Sequence, residues 1–160
     1  MLNTEGLRET VASGLTDALQ CTVIRGNQTV KMPAFPFIAY NITTLCKSNN
    51  GTYGEWEDGI SRLPCVQTWS ITAHSNDYAE AVRLASEAQT WLKYSGKIYL
   101  NDNGVIVQSV GNVTDRSNIL TNDYMYSLGF DCDFWLYDEV ENTVEKSGYI
   151  ESADINMNEQ

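Results

Sequence analysis

The chain carries a single histidine, His74, and four cysteines, Cys21, Cys46, Cys65 and Cys132. A serine or cysteine nucleophile needs a partner base, so such chemistry would have to run through this one imidazole. His74 falls on the polar side of an alternating stretch, at its end, where a hydrogen-bonded structural role is the simpler reading. A Cys–His dyad is the alternative, and no local motif supports it. The cysteines form no C-x-x-C pair and, with one histidine, no zinc set. They read as free, mostly buried thiols, with Cys65 and Cys132 at apolar-face positions of strands. No phosphate-binding glycine loop, zinc-protease helix or nucleophile elbow occurs.

Carboxylates are the remaining chemical candidates, since paired acids can hold a hard cation or transfer protons. Glu55, Glu57 and Asp58 share one loop, and Asp131 and Asp133 share one strand face about 7 Å apart. Against 21 acidic and 10 basic residues and a net charge of −11, such pairs also arise as ordinary solvated surface. The expectation is therefore no catalytic, cofactor or metal residue, with a metal-dependent hydrolase using these pairs as the distant alternative. Asn101-Asp102-Asn103-Gly104 has the opening of a calcium loop but lacks the glutamate at its twelfth position, and reads as a turn.

The elements that position these residues follow from periodicity. Tyr124, Tyr126, Leu128, Phe130, Cys132, Phe134 and Leu136 alternate strictly with a mostly polar set that includes Asp131, Asp133, Trp135 and Tyr137, which marks one long strand. At about 3.3 Å per residue it spans about 43 Å, against about 17–20 Å for an ordinary strand. Its excess length is most simply used in a sheet shared with neighbouring subunits.

Leu7, Val11, Leu15, Ala18 and Leu19 predict a helix over 5–20 with Thr4 as its cap. Strands are predicted at 22–25 and 37–44, with Pro36 confined to the start of the second. Residues 45–63 form a long glycine-punctuated loop, or a hairpin arm bent at Asn50-Gly51. Cys65 to His74 alternates as a half-buried strand. Asp77 and Glu80 make a capping box for a second helix with the stripe Ala81, Val82, Leu84, Ala85, Ala88, Trp91 and Leu92, closed by Gly96. Short strands are read at 98–100 and 105–113.

From Asp138 onward the chain holds seven acidic residues and one basic one, with Tyr149-Ile150 among its few apolar residues. It reads as an acidic C-terminal arm (138–160) following one domain (1–137). The expected fold is α+β: a mainly antiparallel sheet with two helices packed on one face, a long hairpin-like loop and an extended arm.

Scattered basic residues and a strong negative charge exclude sequence-independent binding to nucleic-acid phosphates. No apolar run approaches the ~20 residues of a membrane span, so no membrane partner is expected, and a soluble protein made inside a cell is read. Trp56, Trp135 and Tyr137 stand on the loop or the polar strand face, where large aromatics suit a partner surface or a covering helix of the same chain.

Several stretches, in order, resemble the neck or tail terminator proteins of tailed bacteriophages. They are the opening helix leading to Val23-Ile24-Arg25, the strand Pro36-Phe-Ile-Ala-Tyr40, the loop Gly51-Thr-Tyr-Gly-Glu-Trp-Glu-Asp-Gly59 and the strand Gln67-Thr-Trp-Ser70. Asp102-Asn-Gly-Val-Ile-Val-Gln-Ser-Val-Gly111 and Gly129-Phe-Asp-Cys-Asp-Phe-Trp135 complete the set. The resemblance implies a structural virion protein of the tail or neck, not an enzyme, assembled in the host cytoplasm. It implies a homo-oligomeric ring, hexameric, that caps the tail tube, stops its polymerisation and joins it to a head-side connector or stopper, with the sheath as a further partner. DNA would pass through the ring without specific binding.

On that footing Tyr53, Glu55, Trp56, Glu57, Asp58, Trp135, Tyr137, Tyr149 and Ile150 are the expected interface residues, and Asp131 and Asp133 the expected channel lining. A tail completion factor or tube-like protein is the alternative within phage assembly. An acidic mimic of DNA is a further one, weakened because much of the charge excess sits in the arm.

Overall fold

A computed structural model describes residues 4–27, 31–48, 60–117 and 125–141, and the backbone of 54–55. Helix α1 (Thr4–Leu19) buries Leu7, Val11 and Leu15, spaced by one helical turn each, against the sheet. Thr4, expected as the cap, is already the first helical residue. The helix stops at Gln20, whose positive φ of 52° turns the chain while its N–H reaches back to the Thr16 carbonyl.

Strand β1 (Thr22–Arg25) runs parallel to β2 (Phe37–Lys47), and the remaining pairings are antiparallel. β2 starts directly after Pro36, as proline's missing N–H requires. With β4 (Ile60–Ser75), β5 (Ile106–Val110) and β7 (Tyr126–Glu141), the sheet runs β1-β2-β4-β7-β5, with the short β3 (Gly54–Glu55) alongside β4 and β6 (Thr114–Asp115) alongside β7. At its centre β4 (Ile60–Ser75) and β7 (Tyr126–Glu141) pair residue for residue from Ile60↔Glu141 to Ser75↔Tyr126, without a bulge.

This ladder corrects two expectations. The long strand finds its length-matched partner in its own chain, so its reach alone does not demand a neighbouring subunit. The predicted 45–63 loop is also shorter, because β2 extends to Lys47, β4 begins at Ile60, and Gly54–Glu55 pair with Arg62 and Ser61. Pro64 hid the start of β4 in the sequence. It lies opposite Tyr137 at a pair whose backbone groups point away from β7, between the last β2 pair at Val66 and the β3 pair at Arg62, so no β7 hydrogen bond is lost. The hairpin tip expected at Asn50-Gly51 lies outside the described residues.

Asp77 caps α2 (Tyr78–Thr90) by accepting the Ala79 N–H. The expected reciprocal arm of the box runs through a third residue. Ser75 Oγ donates to Glu80 and accepts the Asp77 N–H at 3.1 Å. α2 does not end at Gly96. It widens into a π turn at Trp91–Ser95, where the Gly96 N–H reaches the Trp91 carbonyl, and continues into α3 (Lys97–Asp102). Gly96 has an ordinary helical φ, and its missing side chain lets the backbone pass over the Trp91 ring, which a Cβ would overlap.

The predicted strand at 98–100 is thus a helical turn that buries Leu100 and leaves Ile98 74% exposed. Three residues cannot distinguish the two periods, and the Leu100 N–H to Gly96 carbonyl bond settles this one. The turn at 101–104 is the helix terminus, with Gly104 at φ +73°. The strand expected at 105–113 is shorter, β5 (Ile106–Val110), and β6 follows outside the expected range.

All the described helices pack on one face. Odd residues of β4 and even residues of β7 point there: Cys65, Gln67, Trp69, Ile71 and Ala73 against Leu128, Phe130, Cys132 and Phe134. Tyr40 stacks on Trp69 at 4.8 Å between ring centroids, and Phe134 meets the same indole edge-on at 5.1 Å. The fold is α+β with a mainly antiparallel sheet, as its patterning predicts.

Candidate functional site

The opposite face of the sheet carries the polar half of each alternation and, among the described residues, no helix. Ser70 stands opposite Asp131, Thr68 opposite Asp133, Val66 opposite Trp135 and Pro64 opposite Tyr137. Both aspartates expected to line a channel therefore lie on one open face, but neither is a bare carboxylate. Arg116, brought in by β6, donates through Nη2 to Asp131 at 2.9 Å and through Nη1 to Ser70 Oγ, and its Nε lies 3.4 Å from Thr114 Oγ1. Asp133 accepts from Thr68 Oγ1 at 2.7 Å and Ser109 Oγ at 2.8 Å. One guanidinium and two hydroxyls thus tie β4, β5, β6 and β7 together across this face.

Trp135 and Tyr137 continue the same stripe and pack edge to face at 4.6 Å. Both line one pocket together with Gly6, Leu7 and Thr10 of α1. Tyr137, Val140 and Ile106, at 40%, 44% and 45% exposure, gather apolar surface toward this end of the sheet. Arg62 pairs with Glu139 at 2.6 Å opposite it on β4. Of the loop residues, Glu55 is placed as backbone paired with Ser61. Tyr53, Trp56, Glu57, Asp58, Tyr149 and Ile150 lie outside the described residues.

The chemical readings resolve differently. His74 projects onto the open face, with Nδ1 at 2.9 Å from Ser127 Oγ and its ring 4.9 Å from that of Phe37. Burial lowers its pKa, holding it neutral near pH 7. Cys65 and Cys132 point to the other face, so neither can form a dyad with it. Burial, and secondarily the Cys46 thiol, push the Cys65 thiol up to about 12, and burial raises Cys132 and Cys21 as well. These are inert, free thiols. Among the described residues no three His, Cys, Asp or Glu side chains converge as a metal site.

Two features escaped the sequence reading. Arg116 is the only basic residue between Lys97 and Lys146, a lone cation that could have drawn notice. The second is a cleft of about 630 Å³ between residues 31–37 and the open face, lined by Arg25, Lys31 and Arg116 along with His74 and Phe37. Arg116 lies far from Arg25 and Lys31 in sequence, so the three carry no joint local signal.

No curated protein matches the chain. No helix among the described residues is long and apolar enough to cross a membrane. The model of the family described as phage neck terminator protein matches residues 5–160. The chain belongs to that family.

Proposed function

We propose that this protein forms a closed ring, of six copies, that caps the phage tail tube, ends its polymerisation and joins it to the head-side connector. Family membership implies a virion protein of the neck that associates with other head and tail proteins, a structural role and not an enzymatic one. The observation that carries the ring reading is the distal end of the β4–β7 ladder. The β2 pairing stops at Val66 and the β5 pairing at Trp135, so Ile60–Cys65 and Leu136–Glu141 run on beyond those two strands as an arm flanked, among the described residues, by the two-residue β3. An arm with exposed Tyr137 and Val140 suits contact with an adjacent subunit or ring.

Trp135, Tyr137 and the residues around Glu55 are the proposed interface, together with Trp56, Glu57, Asp58, Tyr53, Tyr149 and Ile150. Asp131 and Asp133 face the proposed channel, where an acidic lining keeps DNA from adhering. The acidic segment from Asp138 is proposed as an arm distinct in role from the domain before it.

The test is the mass of the purified chain by light scattering, alone and with the matching tail-tube protein. A discrete ring, or a monomer that becomes a tube-capping ring and shortens the tubes, is the expected outcome. A monomer that leaves tube length unchanged would overturn the reading, and open polymers of heterogeneous mass would favour a tube-like protein instead. Replacing Asp131 and Asp133 by Asn keeps the hydroxyl and guanidinium contacts close to intact and removes charge. Rings of normal mass with slowed DNA delivery are expected, and normal delivery would remove the channel assignment.

A further inference from the structure

The cleft beside residues 31–37 runs against the charge of the molecule. Its lining takes three of the chain's ten basic residues, Arg25, Lys31 and Arg116, and includes no carboxylate among the described residues. Arg25 and Lys31 make no ion pair with a described residue, while Arg116 is anchored by Asp131. Ile24, Met32 and Phe37 supply apolar walls. A cleft with cations along apolar walls suits an acidic peptide that interleaves large apolar side chains.

The chain contains such a segment. Residues 142–160 carry Glu145, Glu151, Asp154 and Glu159 among Val144, Tyr149, Ile150 and Ile155. We propose that this C-terminal segment of one copy docks in the basic cleft of a second copy, an inference that rests on the ring reading. Reach argues for a second copy over the same one. The cleft borders Ser127, near the start of β7, whereas the chain leaves β7 at Glu141. The intervening strand is roughly 46 Å long at about 3.3 Å per residue. Glu151, ten residues beyond Glu141, reaches at most about 35 Å when fully extended. Tyr149 and Ile150 therefore fall short of the Ser127 end of their own cleft, and only residues from Glu151 onward come level with its nearer wall at Asn41 and Arg116, ten residues from Glu141.

Energetically, the contact converts part of the repulsion between copies of net charge −11 into attraction at the interface. It also fixes a head-to-tail order, because the donor segment and the acceptor cleft are different surfaces.

The test mixes equal amounts of ordinary and ¹⁵N-labelled full-length chain, assembles them, and couples carboxylates to amines with a zero-length carbodiimide. Mass spectrometry should find Lys31 joined to Glu145, Glu151, Asp154 or Glu159 in pairs that carry both isotopes. Arg25→Glu, which leaves the Lys31 amine in place, should lower the yield of these links several-fold. Light scattering on the same samples separates the two readings. Rings without mixed-isotope Lys31 links overturn the docking and leave the ring standing. Links confined to single-isotope pairs assign the cleft to the chain's own segment and overturn it too, and a monomer without links overturns both.

Discussion

The Trp69 indole N–H donates to the Gln67 side-chain carbonyl at 2.7 Å, two residues away on the same strand face, and both side chains are fully buried. The Gln67 amide in turn donates to the Leu45 carbonyl at 3.2 Å, so one buried polar side chain satisfies an indole in the core and a backbone group of β2. Gln67→Leu should therefore destabilise by about 1–3 kcal/mol, since the indole N–H is left buried without a bond. Chemical denaturation measures it. In the double-mutant cycle with Trp69→Phe, which removes the orphaned donor, the two costs should fail to add. Additive costs would mean the bond contributes nothing.

Gly129 sits opposite Thr72, where a Cβ would come within 2.5 Å of the Ile71 carbonyl oxygen and 2.6 Å of Thr72 Oγ1. The obstruction includes backbone of the central ladder and cannot rotate away. Gly129→Ala should cost about 1–3 kcal/mol through forced separation of β4 and β7. Gly104→Ala is a useful contrast: nothing lies near its Cβ, and its cost would come from the positive φ alone. Equal midpoints for wild type and Gly129→Ala would contradict the close approach.

Arg116 and Asp131 should respond unequally to truncation. Asp131→Ala removes one partly exposed ion pair and should cost no more than about 1 kcal/mol. Arg116→Ala also strips Ser70 and unties β6 from the centre of the sheet, so its cost should exceed that of Asp131→Ala. Equal unfolding free energies for the two variants would show that the guanidinium acts only through its carboxylate.

His74 gives the fold a pH dependence with a definite sign. Burial lowers its folded pKa below the unfolded value of about 6.5, so the unfolded chain takes up the proton first as pH falls. The stability contributed by the neutral ring is complete above that value and is lost as pH drops below it toward the folded pKa. The melting temperature of wild type should therefore fall more steeply from pH 7 to pH 5 than that of His74→Gln, in which the same carboxylates titrate. Parallel curves would contradict it.

The amphipathic periods made the sheet and both long helices legible, because β4, β7, α1 and α2 each bury one face of a regular alternation or stripe. What they could not reveal was set by contacts between distant residues. Ile98 and Leu100 share a period with a strand, yet Gly96 crossing Trp91 carries the helix onward through them. Ser61 is polar on the core face and Pro64 apolar on the open one, so the start of β4 appears only through its pairing with β7. Asp131 and Asp133 share one face as their alternation predicts, but the donors that occupy them, Thr68 of β4, Ser109 of β5 and Arg116 just after β6, come from positions ordinary in isolation.

Because the β4–β7 ladder has no bulge anywhere along it, the projecting arm is a straightedge with discrete permissible lengths. Two residues added to each strand would extend it by about 7 Å and keep Trp135, Tyr137 and the Arg62–Glu139 pair on their present sides. A single residue added to each would turn every side chain beyond the insertion to the opposite face. Relatives that match tubes or connectors of different height should thus differ here by even steps.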